Sequence, residues 1–206
     1  MLPYRDALRA LVAHRRDELV IAPFQAAIVW EELSTRRELD LPYYGSMGKA
    51  ASTGLGVALA VPHLDVWVLD GDGSLLMNLG CLVTTAHLAP PNLWHFVLEN
   101  GVYGTTGGQP IPGHDRVDFA GLARAAGFPR VFAFDELGAF EQALPAVLGR
   151  TPDAGPVRGP TFVALRVTAE QFARRVPRRS TKEALPEVWQ TVEQLAREGA
   201  TARGGR

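Results

Sequence analysis

V66-W-V-L-D-G-D-G-S-L-L-M-N-L-G80 holds an apolar run that ends in an acid, then a second acid between two glycines, then an apolar segment at helical spacing. Val66–Leu69 reads as a buried strand and Leu75–Leu88 as the helix that follows it. A similar event comes in L93-W-H-F-V-L-E-N-G-V-Y-G104, where the bulky run Leu93–Leu98 stops at Glu99, Asn100 and Gly101. Both segments place polar residues directly beyond the end of a strand.

The same alternation extends outward along the chain. Leu2, Ala7, Leu8, Leu11 and Val12 recur at helical spacing, Leu19–Ala22 reads as a strand, and Pro23 opens a helix to about Ser34. Residues 38–47 read as a connector. Gly48–Val61 reads as a helix whose small residues, Ala50, Ala51, Gly54, Gly56 and Ala58, imply close packing against a neighbour. A glycine-rich loop covers 101–113. Asp118–Ala126 reads as a helix capped by Asp118, and Val131–Phe134, Glu136–Leu148 and Thr161–Val167 as strand, helix and strand. Strands that are continuously apolar and alternate with helices predict an α/β fold: a doubly wound, mostly parallel sheet with helices on both faces. Ligands of such sheets bind beyond the carboxyl ends of the strands, near a topological switch point.

The chain has 206 residues, of which 47% are hydrophobic and 21% charged, enough for one sizeable core. We expect a domain over residues 1–170. Residues 171–206 then form a basic linker containing Arg174, Arg175, Arg178 and Arg179, a polar helix at about 184–198, and a flexible Gly/Arg tail. The net charge of −1 gives no global field for nucleic acid. The N-terminus has neither a signal-peptide core nor an apolar span, and with the lone Cys81 this makes the cytoplasm the expected compartment. One cysteine excludes an intramolecular disulfide and a cysteine-built metal cluster within these residues.

Asp72 carries the chemistry of the first segment. Gly71 and Gly73 allow a sharp turn and close approach of main-chain N–H groups to an anion, and the helix that follows adds its positive end. A carboxylate in that position repels a bare phosphate but suits a divalent cation that bridges the two. Mg²⁺ takes one or two protein oxygens together with phosphate oxygens. Asn100 offers an amide oxygen from the second strand end, and the residues after it offer a backbone carbonyl. An acidic glycine turn alone is a common feature; the pair of strand ends at this separation is far more specific.

Taken together, G71-D-G-S74 and E99-N-G101 resemble the GDG…NN motif of thiamine-diphosphate (ThDP) enzymes. The resemblance implies Mg²⁺ ligands at Asp72, Asn100 and the carbonyl of Val102. It extends to Y44-G-S-M-G-K-A-A-S-T-G-L-G-V-A-L59, similar to the G-S-(Met/Ile)-G segment of ThDP decarboxylases. By that likeness Met47 props the cofactor into its V-shape and the carbonyl of Gly45 accepts from the 4′-amino group. These two are the catalytic candidates. The implied cofactor-binding set is Gly45, Ser46, Met47, Gly71, Asp72, Gly73, Ser74, Asn100, Val102, Tyr103, Gly104 and Thr105. A Walker loop is excluded because only two residues separate Gly45 from Gly48 and no strand leads in directly.

Runs such as GDGSLLMNLG and NGVYGTTGGQ resemble the diphosphate-binding, or beta, half of sulfopyruvate and phosphonopyruvate decarboxylases over roughly residues 19–167. Two departures stand out: Glu99 replaces the first Asn, a position that is not a metal ligand, and A22-P-F-Q-A26 lacks the Gly/Thr/Ser-rich turn near the cofactor. The resemblance implies a ThDP- and Mg²⁺-dependent 2-oxoacid decarboxylase. Its activating Glu lies in a separate pyrimidine-binding domain, so the expected partner is a pyrimidine-binding alpha subunit, in an α2β2 or larger assembly. Two alternatives stay open: the beta-type subunit of another ThDP enzyme, such as a 2-oxoacid oxidoreductase or synthase, and a non-catalytic domain that keeps the fold. The side group of the oxoacid (sulfonate, phosphonate or carboxylate) is not readable from these residues.

Overall fold

The computed structural model describes residues 1–151, 157–172 and 176–204, with side chains described through 198. Its centre is a six-stranded sheet in which every pairing is parallel. The strands are β1 (Leu19–Pro23), β2 (Asp40–Tyr43), β3 (Val66–Gly71), β4 (Leu93–Glu99), β7 (Arg130–Phe134) and β8 (Thr161–Arg166), in the order β2-β1-β3-β4-β8-β7. A two-stranded antiparallel ladder, β5 (Val102–Tyr103) with β6 (Gln109–Pro110), lies inside the glycine-rich loop. The doubly wound α/β architecture expected from the alternation is the one observed.

Alternate residues of the sheet face opposite layers. Trp67, Leu69, Phe96 and Leu98 pack with α1 (Tyr4–His14), α2 (Phe24–Leu33) and α7 (Leu137–Val147). On the other face, Ile21, Val66 and Val68 pack with α3 (Ala50–Ala60) and α8 (Thr181–Gly204). Val97, Phe162 and Ala164 continue that face against α5 (Gly80–Leu88) and α6 (Phe119–Ala126). The small residues of α3 have the expected cause: a Cβ on Gly54 would stand 2.2 Å from Val68 Cγ2, so only glycine lets the helix come this close to β3.

Three local readings change. Residues 40–43, expected as connector, form edge strand β2. Pro42 inside it lacks a donor and is tolerated because one side of the strand has no sheet partner. That side is covered by α8: Thr181 Oγ1 donates to the Pro42 carbonyl at 2.6 Å, and Ala184, Val188 and Val192 are buried beside Leu39 and Leu41. The helix expected over 75–88 begins earlier and breaks, as α4 (Asp72–Leu76) and then α5, with Met77–Leu79 between. Asn78 lies in the break and Gly80 directly follows it, and both are weak helix formers. Of the basic cluster, Arg178 and Arg179 are tied down, through the Arg178 backbone N–H to Glu31 and through the Arg179 guanidinium to Glu187. Arg174, Arg175 and the end of the Gly/Arg tail lie outside the described residues. No helix among the described residues is long and apolar enough to cross a membrane.

Candidate active site

Running outward from β1, the chain adds β2 on one side and then crosses to β3 on the other, so the switch point lies between β1 and β3. A cleft of about 590 Å³, part of it open to solvent, sits beyond the carboxyl ends of β1, β3 and β4. It receives Pro23, Phe24 and Gln25 from the first strand end, Gly71–Ser74 from the second, and Leu98 and Asn100 from the third. Val102, Tyr103, Gly104 and Thr105 close it from the glycine-rich loop, and Met47 from the segment before α3. Thus all but two of the residues expected at the site line one cleft. Gly45 and Ser46 are exposed and stand outside that lining. Gly45 has φ +95°, a backbone conformation that favours glycine.

Asp72 is the most constrained of the polar groups. It is 3% exposed. One carboxylate oxygen accepts from the Gly73 N–H at 2.7 Å and the other from the Gly101 N–H at 2.7 Å, which ties the two strand ends together. Burial pushes its carboxyl up, and the two N–H donors oppose the rise. Among the described residues no cationic side chain forms an ion pair with it, and the charge of Asp70 raises it further. A buried carboxylate of this kind retains lone pairs for a cation, and a bound divalent ion would reverse its local titration. Asn100 Oδ1 accepts from the Val102 N–H at 3.0 Å, and its Nδ2 donates to Gln25 Oε1 at 3.1 Å. In the short ladder the Ile111 N–H donates to the Gly101 carbonyl at 3.0 Å, so the Val102 carbonyl, next along the strand, points away from the ladder. Carboxylate, amide oxygen and backbone carbonyl are the hard-oxygen donors that Mg²⁺ takes, so this set fits that ion.

The glycines play other parts than expected. Neither Gly71 nor Gly73 has a positive φ; the turn belongs to Gly101 at φ +75°. Gly73 is needed for proximity, since a Cβ there would meet the Tyr103 ring at 2.5 Å. Helix propensity alone makes Ala better than Gly by about 1 kcal/mol within α4. We therefore expect Gly73→Ala to lose about 1–3 kcal/mol from overpacking, with a Tyr103→Ala background restoring part of it; equal or higher stability of the single variant in urea unfolding would remove the close-contact account.

Glu99 points away from the cleft, into a second depression shared with Asp118 and Arg166. Burial pushes its carboxyl up to about 7, with repulsion from Asp72 added and attraction to Arg166 opposing. His95 is buried against Asp70 and Phe162, a structural placement. Cys81 is buried with its thiol pushed up to about 11, unlike a nucleophile. The loop residues Gln109 and His114 are exposed and outside the cleft.

Three cleft residues escape the motifs. Phe24 has φ +47°, an outlier for a bulky residue, and its ring lies 5.2 Å from that of Tyr44. Gln25 follows it into the cleft. The atypical stretch 22–26 was the signal for both. Tyr4, in α1, reaches the cleft from a distant part of the chain, and burial with Asp72 nearby pushes its phenol well above the usual range; nothing in its local sequence marks it.

Fold and cleft together define a doubly wound α/β domain with a cleft at its switch point lined by Asp72, Asn100 and Val102. The chain belongs to the thiamine pyrophosphate enzyme family, through its C-terminal TPP binding domain, matched over residues 23–164. It is 41% identical over 184 residues to a phosphonopyruvate decarboxylase of Streptomyces hygroscopicus, an alignment covering 82% of this chain and 45% of that protein. It is 42% identical over 146 residues to sulfopyruvate decarboxylase subunit beta of Methanothermobacter thermautotrophicus, covering 70% of this chain and 76% of that one. The chain thus spans less than half of the first relative and about three quarters of the second. Among solved structures, a thiamine diphosphate-dependent 4-hydroxybenzoylformate decarboxylase of Rhodococcus jostii RHA1 shares the fold, with TM-score 0.64, 22% identity, and 83% of this chain and 33% of that one covered.

Proposed function

We propose that this chain is the beta-type, diphosphate-binding part of a ThDP- and Mg²⁺-dependent 2-oxoacid decarboxylase of the sulfopyruvate or phosphonopyruvate type. The observation that carries the reading is the meeting of Asp72, Asn100 and Val102 in one cleft at the switch point, with the Asp72 carboxylate buried there. Asp72, Asn100 and the Val102 carbonyl would hold Mg²⁺, which would supply charge neutralisation to the cofactor's diphosphate. Ser74, whose Oγ accepts from the Gly48 N–H at 3.1 Å, locks the segment before α3 onto the start of α4 and so sets Met47 over the cleft. When bound, ThDP supplies the electron sink that lets the carboxylate leave as CO₂. The chain's own residues anchor the metal end, support the cofactor through Met47, and exclude water with the apolar wall of Phe24, Leu98 and Tyr103.

Among the described residues Asp72 is the one carboxylate that lines the cleft. In this proposal the carboxylate that activates the cofactor is supplied by a pyrimidine-binding alpha subunit, the assembly is α2β2 or larger, and the compartment is the cytoplasm. The named beta subunits among the relatives support a partner of this kind. Turnover of sulfonate-, phosphonate- and carboxylate-bearing 2-oxoacids by the chain reconstituted with a pyrimidine-binding chain tests the reading. No CO₂ release from any of them would leave it without support.

Met47→Ala in that complex separates support from binding. The diphosphate contacts remain, so turnover at saturating ThDP falls by about tenfold or more while ThDP affinity changes little. A variant that binds poorly yet turns over normally when saturated would reduce Met47 to packing.

A further inference from the structure

We infer that Gln25 is a positioning residue for the cation site, fixing which atom of the Asn100 amide faces the metal. The inference rests on the function proposed above.

An asparagine amide can ligate a cation only through its oxygen, and its two ends are nearly equal in shape. Something must therefore choose the orientation. In this structure two contacts do so from opposite sides. The Val102 N–H donates to Asn100 Oδ1 at 3.0 Å, and Gln25 Oε1 accepts from Asn100 Nδ2 at 3.1 Å. Turning the amide over would set an NH₂ against the Val102 N–H and an oxygen against Gln25 Oε1, two repulsive contacts in place of two hydrogen bonds. Gln25 carries the same ambiguity, and its Nε2, which donates to the Glu170 carbonyl at 3.4 Å, settles it. Orientation passes from a backbone carbonyl, through Gln25, to Asn100.

The backbone is shaped to hold Gln25 there. Phe24 adopts φ +47°, a strained conformation for a side chain of its size, at the point where β1 hands over to α2. Gly104 is bare where a Cβ would stand 2.3 Å from Gln25 Nε2. The turn at Phe24 and the space at Gly104 together admit one side chain to this corner of the cleft, and Gln25 fills it. Outer contacts of this type fix ligand orientation, and their loss typically costs 10- to 100-fold in metal affinity.

The test compares Gln25→Met, close in size but without the acceptor, with Gln25→Glu, which keeps it. Mn²⁺ uptake by the full chain at saturating ThDP is followed through the electron paramagnetic resonance signal of free and bound Mn²⁺, with Asp72→Ala alongside. The expected result is a tenfold or greater loss for Gln25→Met, with an altered bound signal, and affinity at or above that of the unsubstituted chain for Gln25→Glu. Gln25→Ala, measured in parallel, should lose at least as much as Gln25→Met, and circular dichroism should show each variant folded. Gln25→Met binding within twofold of the unsubstituted chain, or Gln25→Glu losing as much as Gln25→Met, overturns the positioning role while leaving the site intact. Asp72→Ala binding as well as the unsubstituted chain, or no Mn²⁺ uptake by that chain, overturns the cation-site reading itself.

Discussion

Replacing Asp72 with alanine lowers ThDP affinity in Mg²⁺ at least tenfold in the assembled complex, about 1.4 kcal/mol. The carboxylate is the only charged donor of the proposed metal set, and its loss leaves a divalent ion to neutral oxygens and the diphosphate. The fold should survive, because what Asp72 contributes internally is two backbone hydrogen bonds, from Gly73 and Gly101, and a burial penalty that disappears with the charge. Calorimetric titration of ThDP reads the effect directly. Unchanged binding would mean that the diphosphate lies elsewhere. Glu99→Gln is the paired control: its side chain faces the depression with Asp118 and Arg166, so it should alter ThDP binding far less.

The second large effect is the dependence on a partner. Residues 1–206 alone, at high ThDP and Mg²⁺, should release no CO₂ from 2-oxoacids, and addition of a pyrimidine-binding chain should create activity. The cleft offers the proposed metal anchor and cofactor support, but among the described residues its remaining polar side chains are Tyr4, Gln25, Ser74, Tyr103, Thr105 and Thr106, and none is a carboxylate. It is also open to solvent, so a cofactor held here by one domain would keep part of its rings in water, where charge stabilisation by fixed dipoles is weak. Met47 and the 101–113 loop should lie at the junction with the partner. Substantial turnover by the chain alone would place the activating carboxylate within these residues and end the two-subunit reading.

Much of this was legible along the chain because local pattern and tertiary role coincide. Val66–Leu69 and Leu93–Leu98 are apolar without alternation because both faces of the sheet are covered, and that signature survives in a single sequence. Asp72 and Asn100 follow those runs directly, so locating the strands located the two residues at the strand ends. The small side chains of Ala50–Ala60 likewise announced the close approach to Val68.

What the sequence did not display depends on neighbours distant along the chain. The edge strand at Asp40–Tyr43 carries a proline and only four residues; it exists because β1 pairs with one side of it and α8 shields the other. The helix after Asp72 breaks near Met77 although its apolar residues continue, since periodicity records which face is buried and not where the backbone changes direction. Gly73 looked like a hinge and is instead a contact, because only the folded loop brings Tyr103 onto it.

The strand ends, their alternation with helices and the residue types at the motif positions were thus determined by the sequence itself, through periodicity and side-chain chemistry that each segment carries alone. The tertiary structure decided the rest: that Tyr4 from the first helix and Gln25 from the first strand end share a cleft with Asp72, and that the Asn100 amide is held in one orientation. Those arrangements rest on contacts between residues as far apart as Gln25 and Asn100, 75 positions along the chain, whose distances and angles are set only when the sheet closes its order and the loops fold over its carboxyl edge.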